Sequence, residues 1–282
     1  MVTMIPRNLK RLKKEDLIMS VFLTNDGVSI HYEVNGSGRP LVMLHGWDQS
    51  ARAFCRNVPA LSEKYQVVTV DFRGHGESEK PSHGYRISRL AMDVHQLLEH
   101  LDLKDVVLLG WSMGCSVLWS YWDLFRSDRL SKLIMVDEPP LCLVNESNPD
   151  GFADNDALVS LKTSILNDTV NATQGFVDMM LYTPEGKAAY GRQTLEESLK
   201  FPPALCTVML LNHVYTDWRD VIPTITLPTL VIAAKNSHVK VSNNVWTHEH
   251  IPSSQLRMFE TAHMMFMEEP EAFNAAVAEF IG

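Results

Sequence analysis

Ser112 stands in the pentapeptide Gly110-Trp111-Ser112-Met113-Gly114, which has the form G-x-S-x-G and follows the apolar run Val106–Leu109. Such a run fits a strand buried on both faces, and the spacing predicts a helix over Cys115–Phe125 directly behind it. A serine on so tight a strand-to-helix turn takes a strained backbone and is pushed out over the sheet edge as a nucleophile; bulkier residues in place of the flanking glycines would collide with strand and helix. The first amides and positive dipole end of that helix then lie where an oxyanion would form. Met113 supplies one such amide. A second is expected from Trp47, because the strand Leu41–Leu44 ends in His45-Gly46-Trp47 and a glycine there lets the chain turn its next amide toward the serine. Gly46, Trp47 and Trp111 are accordingly expected beside the substrate.

A serine needs a base. Of the 11 histidines, His263 is the candidate, in Glu260-Thr261-Ala262-His263-Met264-Met265 just after the strand Leu256–Phe259. His83, His95, His100, His248 and His250 occupy polar stretches and read as solvated, whereas His213 and His238 are left open. The glycine-rich turn Asp71-Phe72-Arg73-Gly74-His75-Gly76-Glu77-Ser78 lacks the Lys-Ser/Thr of a phosphate-binding loop, so Asp71 and His75 are expected to pin that loop.

The elements that must hold these groups alternate. Val21–Leu23 and Val28–Tyr32 flank Asn25-Asp26-Gly27 as a hairpin. Helical Ala53–Leu61, strand Gln66–Val70 and the amphipathic helix Leu90–Leu101 lead to the serine turn, and strand Lys132–Val136 follows its helix. This rhythm predicts an α/β fold with a largely parallel sheet. From about Leu141 to Pro223 it gives way to four helical stretches, near Asp156–Asn167, Asn171–Tyr182, Pro184–Lys200 and Pro203–Tyr215, read as an insertion over the sheet. Met179, Met180, Leu181, Met209, Leu210 and Leu211 are its candidates for an apolar pocket lining. Strands Thr229–Ala233 and Leu256–Phe259 and helix Glu271–Phe280 complete the chain. The expected organisation is a core of 20–140 and 223–282, a helical cap of 141–222 and a basic, poorly ordered extension of 1–19, with Met19 an alternative start.

Composition narrows the partners. A net charge of -9 over 282 residues argues against nucleic acid, whose binders carry basic surfaces. The four cysteines, Cys55, Cys115, Cys142 and Cys206, show no metal-ligand or disulfide spacing, so no metal and no cofactor are expected. The stretch 1–19, with Arg7, Lys10, Arg11, Lys13 and Lys14, has no apolar run of signal-peptide or membrane-span length; a cytoplasmic enzyme acting on a small molecule, with no membrane partner, is the expectation. Whether it forms a homo-oligomer is left open.

His45-Gly46-Trp47, Asp71-Phe72-Arg73-Gly74-His75-Gly76-Glu77-Ser78, Gly110-Trp111-Ser112-Met113-Gly114 and Ala262-His263-Met264 together resemble the α/β-hydrolases of the haloperoxidase/arylesterase-like branch, over roughly residues 21 to 282 and least across the insertion. The resemblance implies an eight-stranded, mostly parallel sheet, a helical cap after strand 6, and a Ser-His-acid triad. Most relatives carry the acid in a Gly-x-x-Asp loop after the strand matching Thr229–Ala233. This chain has Ala234-Lys235-Asn236-Ser237-His238 there, without a carboxylate. Haloalkane dehalogenases and zearalenone lactonases carry it after the preceding strand, which here ends at Asp137-Glu138; Asp137 is the expected acid and Glu138 the alternative, facing the other side. Serine in place of aspartate at the elbow argues against dehalogenation. The family's chemistry implies cleavage of an ester or lactone of a small apolar or aromatic substrate through an acyl-enzyme, with perhydrolysis as a side activity. Two other readings are cofactor-free oxygenation by the His/Asp pair and ligand binding without turnover.

Overall fold

The computed structural model describes residues 20–282. The expectations placed on 1–19 lie outside the described residues. A hairpin of β1 (Ser20–Leu23) and β2 (Ser29–Asn35) opens the sheet, its turn closed by Gly27 at φ 77°. Then come β3 (Arg39–Leu44), α1 (Val58–Leu61), β4 (Tyr65–Val70), α2 (Ile87–His100), β5 (Val106–Trp111), α3 (Met113–Phe125) and β6 (Leu130–Val136). Four helices follow without a strand between them: α4 (Asn155–Asn167), α5 (Thr169–Met180), α6 (Pro184–Ser198) and α7 (Pro203–Tyr215). The sheet resumes with β7 (Thr229–Ala234), α8 (Val241–Glu249) and β8 (Ser254–Phe259), and the chain closes with α9 (Met265–Glu268) and α10 (Pro270–Ile281). The helix expected over Ala53–Leu61 is in fact a 3-10 turn, Ala51–Phe54, followed by the short α1. Pro59 explains the break, since its ring is admitted only in a helix's first turn.

The eight strands lie in the order β1-β2-β4-β3-β5-β6-β7-β8, antiparallel only where β2 meets β1 and β4. Side chains alternate along each strand and feed two cores. Val42, Leu44, Val106 and Leu108 point into the core filled by α2, α3 and part of the helical insertion. Leu41, Met43, Val107 and Leu109 point into the opposite core, built with Phe266, Phe273 and Val277. Burial on both faces is why these strands read as continuous apolar runs instead of alternating ones. The C-terminal ends of β3, β4, β5, β6, β7 and β8 lie at one edge of the sheet, since these six strands run parallel. The sequence-predicted site residues lie at or after those ends, Trp111 being the last residue of β5. Among the described residues no helix is long and apolar enough to cross a membrane.

Candidate active site

The turn between β5 and α3 sets Ser112 at φ 54°, ψ −129°, a conformation that L side chains rarely adopt. Its neighbours require glycine: a Cβ on Gly110 would overlap the Gly114 carbonyl, and one on Gly114 would overlap the Leu44 and His45 carbonyls at the end of β3. A Cβ on Gly46 would stand 3.1 Å from that of Ser112 and 3.2 Å from the Trp111 ring, so Gly46 lies against the serine. The Ser112 carbonyl accepts from the Cys115 amide at 2.7 Å, fastening the turn to the first turn of α3. The amides of Trp47 and Met113 donate to no protein oxygen among the described residues.

His45 holds the Trp47 loop. Its Nε2 accepts from the Phe72 amide at 3.0 Å and its Nδ1 faces the Gly46 carbonyl at 2.8 Å. Burial pushes its pKa down to about 4, so the ring is neutral, with Nδ1–H donating to that carbonyl. Asp71 accepts from the Ala51 and Glu77 amides and pairs with His31, while His75 is buried against Phe201; both pin the loop, as their sequence context suggested.

His263 lies between β8 and α9, with its carbonyl accepting from Trp111 Nε1 at 3.0 Å. Its Nδ1 donates to Asp137 Oδ2 at 2.8 Å, with the two side chains 1% and 0% exposed. Asp137 follows β6 at φ 54°, and its other oxygen, Oδ1, accepts from Asn244 Nδ2 of α8 at 3.0 Å. The carboxylate is thus clamped between ring and amide, and the ring's Nε2 is left as the nitrogen able to take a proton. Ser112 Oγ makes no hydrogen bond among the described residues; the ring of the preceding residue, Trp111, lies 5.2 Å from the His263 imidazole, centroid to centroid.

Glu138, one residue on, faces the other way and does not reach His263. Its Oε1 accepts from Cys142 Sγ at 3.1 Å and lies 3.2 Å from His213 Nε2. Glu138, Cys142 and His213 are the one group among the described residues whose donor atoms, all within 4.8 Å, could hold a metal ion. They fit that role poorly: His213 Nδ1 is buried without an acceptor to fix the ring, which metal-binding histidines have.

A cavity opens on Ser112, walled by Trp47, Pro139, Phe152, Phe176, Leu210 and Val214, with Glu138, Cys142, His213 and His238 as its other polar or thiol-bearing members. Of the six insertion residues proposed for an apolar lining, Leu210 alone is a wall residue. Met180, Leu181 and Met209 are buried elsewhere and Met179 is 46% exposed. Trp111 is likewise not a wall residue: it packs below the serine against His263 and Phe266. His238 occupies the loop where most relatives carry their acid, its ring 4.4 Å from that of His263. Burial, aided by the neighbouring imidazole, holds His238 well below the ordinary histidine range, so it is a neutral neighbour and no substitute for the missing carboxylate. Asn244 gave no sequence signal, because an amide in a polar helical stretch reads as solvated surface.

Residues 39–270 match the family described as alpha/beta hydrolase fold. The chain belongs to that family. Its relatives place it in the haloperoxidase/arylesterase branch. It is 28% identical to the non-heme chloroperoxidase CPO-A1 of Kitasatospora aureofaciens, over 93% of this chain and 99% of that one. Among solved structures it superposes on the esterase EaEST of Exiguobacterium antarcticum with a TM-score of 0.88 at 29% identity, covering 93% of this chain and 98% of the esterase. The bromoperoxidase of Bacillus anthracis gives 0.87 at 28% identity, with 93% and 99% covered.

Proposed function

We propose that this α/β-hydrolase cleaves a carboxylic ester or lactone of a small apolar or aromatic substrate through an acyl-enzyme, with Ser112 as nucleophile, His263 as base and Asp137 as orienting acid. The observation that carries the reading is the buried 2.8 Å bond from His263 Nδ1 to Asp137, which leaves Nε2 as the ring nitrogen free to act as base, in a chain whose elbow serine is held on a strained turn. His263 Nε2 takes the Ser112 proton as Oγ attacks the carbonyl, and the amides of Trp47 and Met113 hold the resulting oxyanion. Collapse expels the alkoxide, which takes that proton back from His263; a lactone's alkoxide stays tethered to the acyl group. Water then gives a proton to His263 and its hydroxide attacks the acyl-serine, freeing the acid and restoring Ser112. The apolar walls favour an apolar or aromatic substrate, and the esterase name of EaEST is in keeping with ester cleavage.

A fluorophosphonate probe and p-nitrophenyl acetate test the reading. Wild-type protein is expected to be labelled at Ser112 and to release p-nitrophenol, and Ser112→Ala to lose both, with turnover down at least about 10³-fold. Undiminished hydrolysis in Ser112→Ala would remove the proposal. Oxygen uptake that survives Ser112→Ala but not His263→Ala would assign the same dyad to cofactor-free oxygenation instead.

A further inference from the structure

Glu138 is used by none of these steps, yet it is a carboxylate set in the wall of the substrate cavity. It is 4% exposed, and no lysine or arginine is among the residues lining that cavity. Oε1 is spoken for by the Cys142 thiol and His213 Nε2. Oε2 has no protein donor among the described residues, although a carboxylate oxygen offers two lone pairs. Nor is Oε2 among the side-chain atoms sealed off without a partner, so it is open to the cavity as an acceptor for a donor that enters. Cys142 does not compete for that place: burial and the adjacent Glu138 hold its thiol well above the ordinary range, so it stays protonated and donates to Oε1.

We infer that Glu138 Oε2 is an anchor for a neutral hydrogen-bond donor, a hydroxyl or amide N–H, carried by the substrate, and that the preferred ester or lactone is therefore a donor-bearing one. Anionic substrates are repelled by the same carboxylate. An ammonium group would shed its water into walls of Trp47, Phe152, Phe176 and Leu210 with one oxygen to receive it, so a neutral donor fits better. A site built to bond a substrate hydroxyl discriminates strongly against the analogue that lacks it, because the site's own polar atom is then left unpaired. The turnover arm of this inference rests on the acyl-transfer reading above; the binding arm does not.

The test uses p-nitrophenyl esters of ω-hydroxy acids from two to six carbons, each paired with its methyl-terminated isostere, on wild type, Glu138→Gln and Glu138→Met. At one chain length or more, wild type is expected to favour the hydroxy ester at least tenfold in kcat/KM, with the preference carried by KM. Glu138→Gln, which keeps a carbonyl acceptor, should retain part of that ratio, and Glu138→Met should bring it to one or below. Because each ratio is taken within one variant, a general loss of folded enzyme cancels. Calorimetric binding of the matching hydroxy and methyl-terminated primary amides to Ser112→Ala, with and without Glu138→Met, reads the anchor without turnover. Equal turnover of the paired esters by wild type at every length overturns the anchor and leaves the hydrolase reading standing. Failure to hydrolyse either ester removes the hydrolase reading, and the amide binding then decides the anchor: equal affinities overturn it and a Glu138-dependent preference upholds it.

Discussion

In the proposed mechanism the two ring nitrogens of His263 have separate duties, and the division depends on one carboxylate. Asp137 can only accept, so it fixes Nδ1 as the protonated nitrogen and would stabilise the imidazolium formed when Nε2 takes a proton. In Asp137→Asn the amide can present N–H to Nδ1 and impose the other tautomer. We expect kcat to fall by about 10⁴ with KM little changed, as the loss of a triad carboxylate does elsewhere; steady-state kinetics on p-nitrophenyl acetate would show it, and a loss below tenfold would unseat Asp137. Asp137 is set ahead of Glu138 by the resemblance to hydrolases that carry their acid after this strand; strand geometry adds only that the two neighbours face opposite sides. The companion bond from Asn244 was not legible. It comes from a helix more than a hundred residues later, and nothing in a polar stretch announces which amide is folded inward. His238 was visible as an anomaly, a histidine where relatives have an acid, but only its 4.4 Å approach to His263 shows what it touches.

At the level of elements, the serine turn works because three backbones pass within contact of one another. Gly114 is where α3 meets the end of β3, and any Cβ there strikes the Leu44 and His45 carbonyls, which cannot move without disturbing the Trp47 loop. Gly114→Ala is therefore expected to cost roughly 1–3 kcal/mol of stability, the usual penalty of overpacking, and to depress activity further by displacing the Trp47 amide. Urea unfolding beside esterase kinetics would separate the two effects; a variant with wild-type stability and rate would show that this contact is slack. Strands and long helices were readable in sequence because each is fully buried or clearly periodic: β5 needed only its apolar run, and α4 to α7 appear close to their expected spans. The pocket lining was not readable. Met180 and Met209 carry the same apolar signal as Leu210, and only packing decides which of them faces the cavity and which fills a core.

Across the whole molecule, the loop after β3 is stitched to the helical insertion. Trp47 Nε1 donates to the Cys206 carbonyl of α7 at 3.1 Å, Gln49 Nε2 to Ser198 Oγ at 2.6 Å, and Ser50 Oγ to Glu197 Oε2 at 2.8 Å. Asp48 is buried in the middle of this seam, and burial pushes its pKa up to about 7. An unfolded aspartate titrates near ~3.9, so the folded protein holds an extra proton between about pH 4 and 7. The acid's contribution is therefore full at the low end of that window and is lost as pH rises through 7. Asp48→Asn should gain on wild type progressively across the same range, by on the order of 4 kcal/mol at its end, in denaturant titrations at successive pH values. A constant difference from pH 4 to 8 would show that Asp48 is ionised when folded.

The seam also ties the helical insertion to the proposed chemistry. Trp47 carries on one residue both the amide proposed to face the oxyanion and an indole moored to α7, so a substitution that shifts α7 would be felt at the serine without touching it.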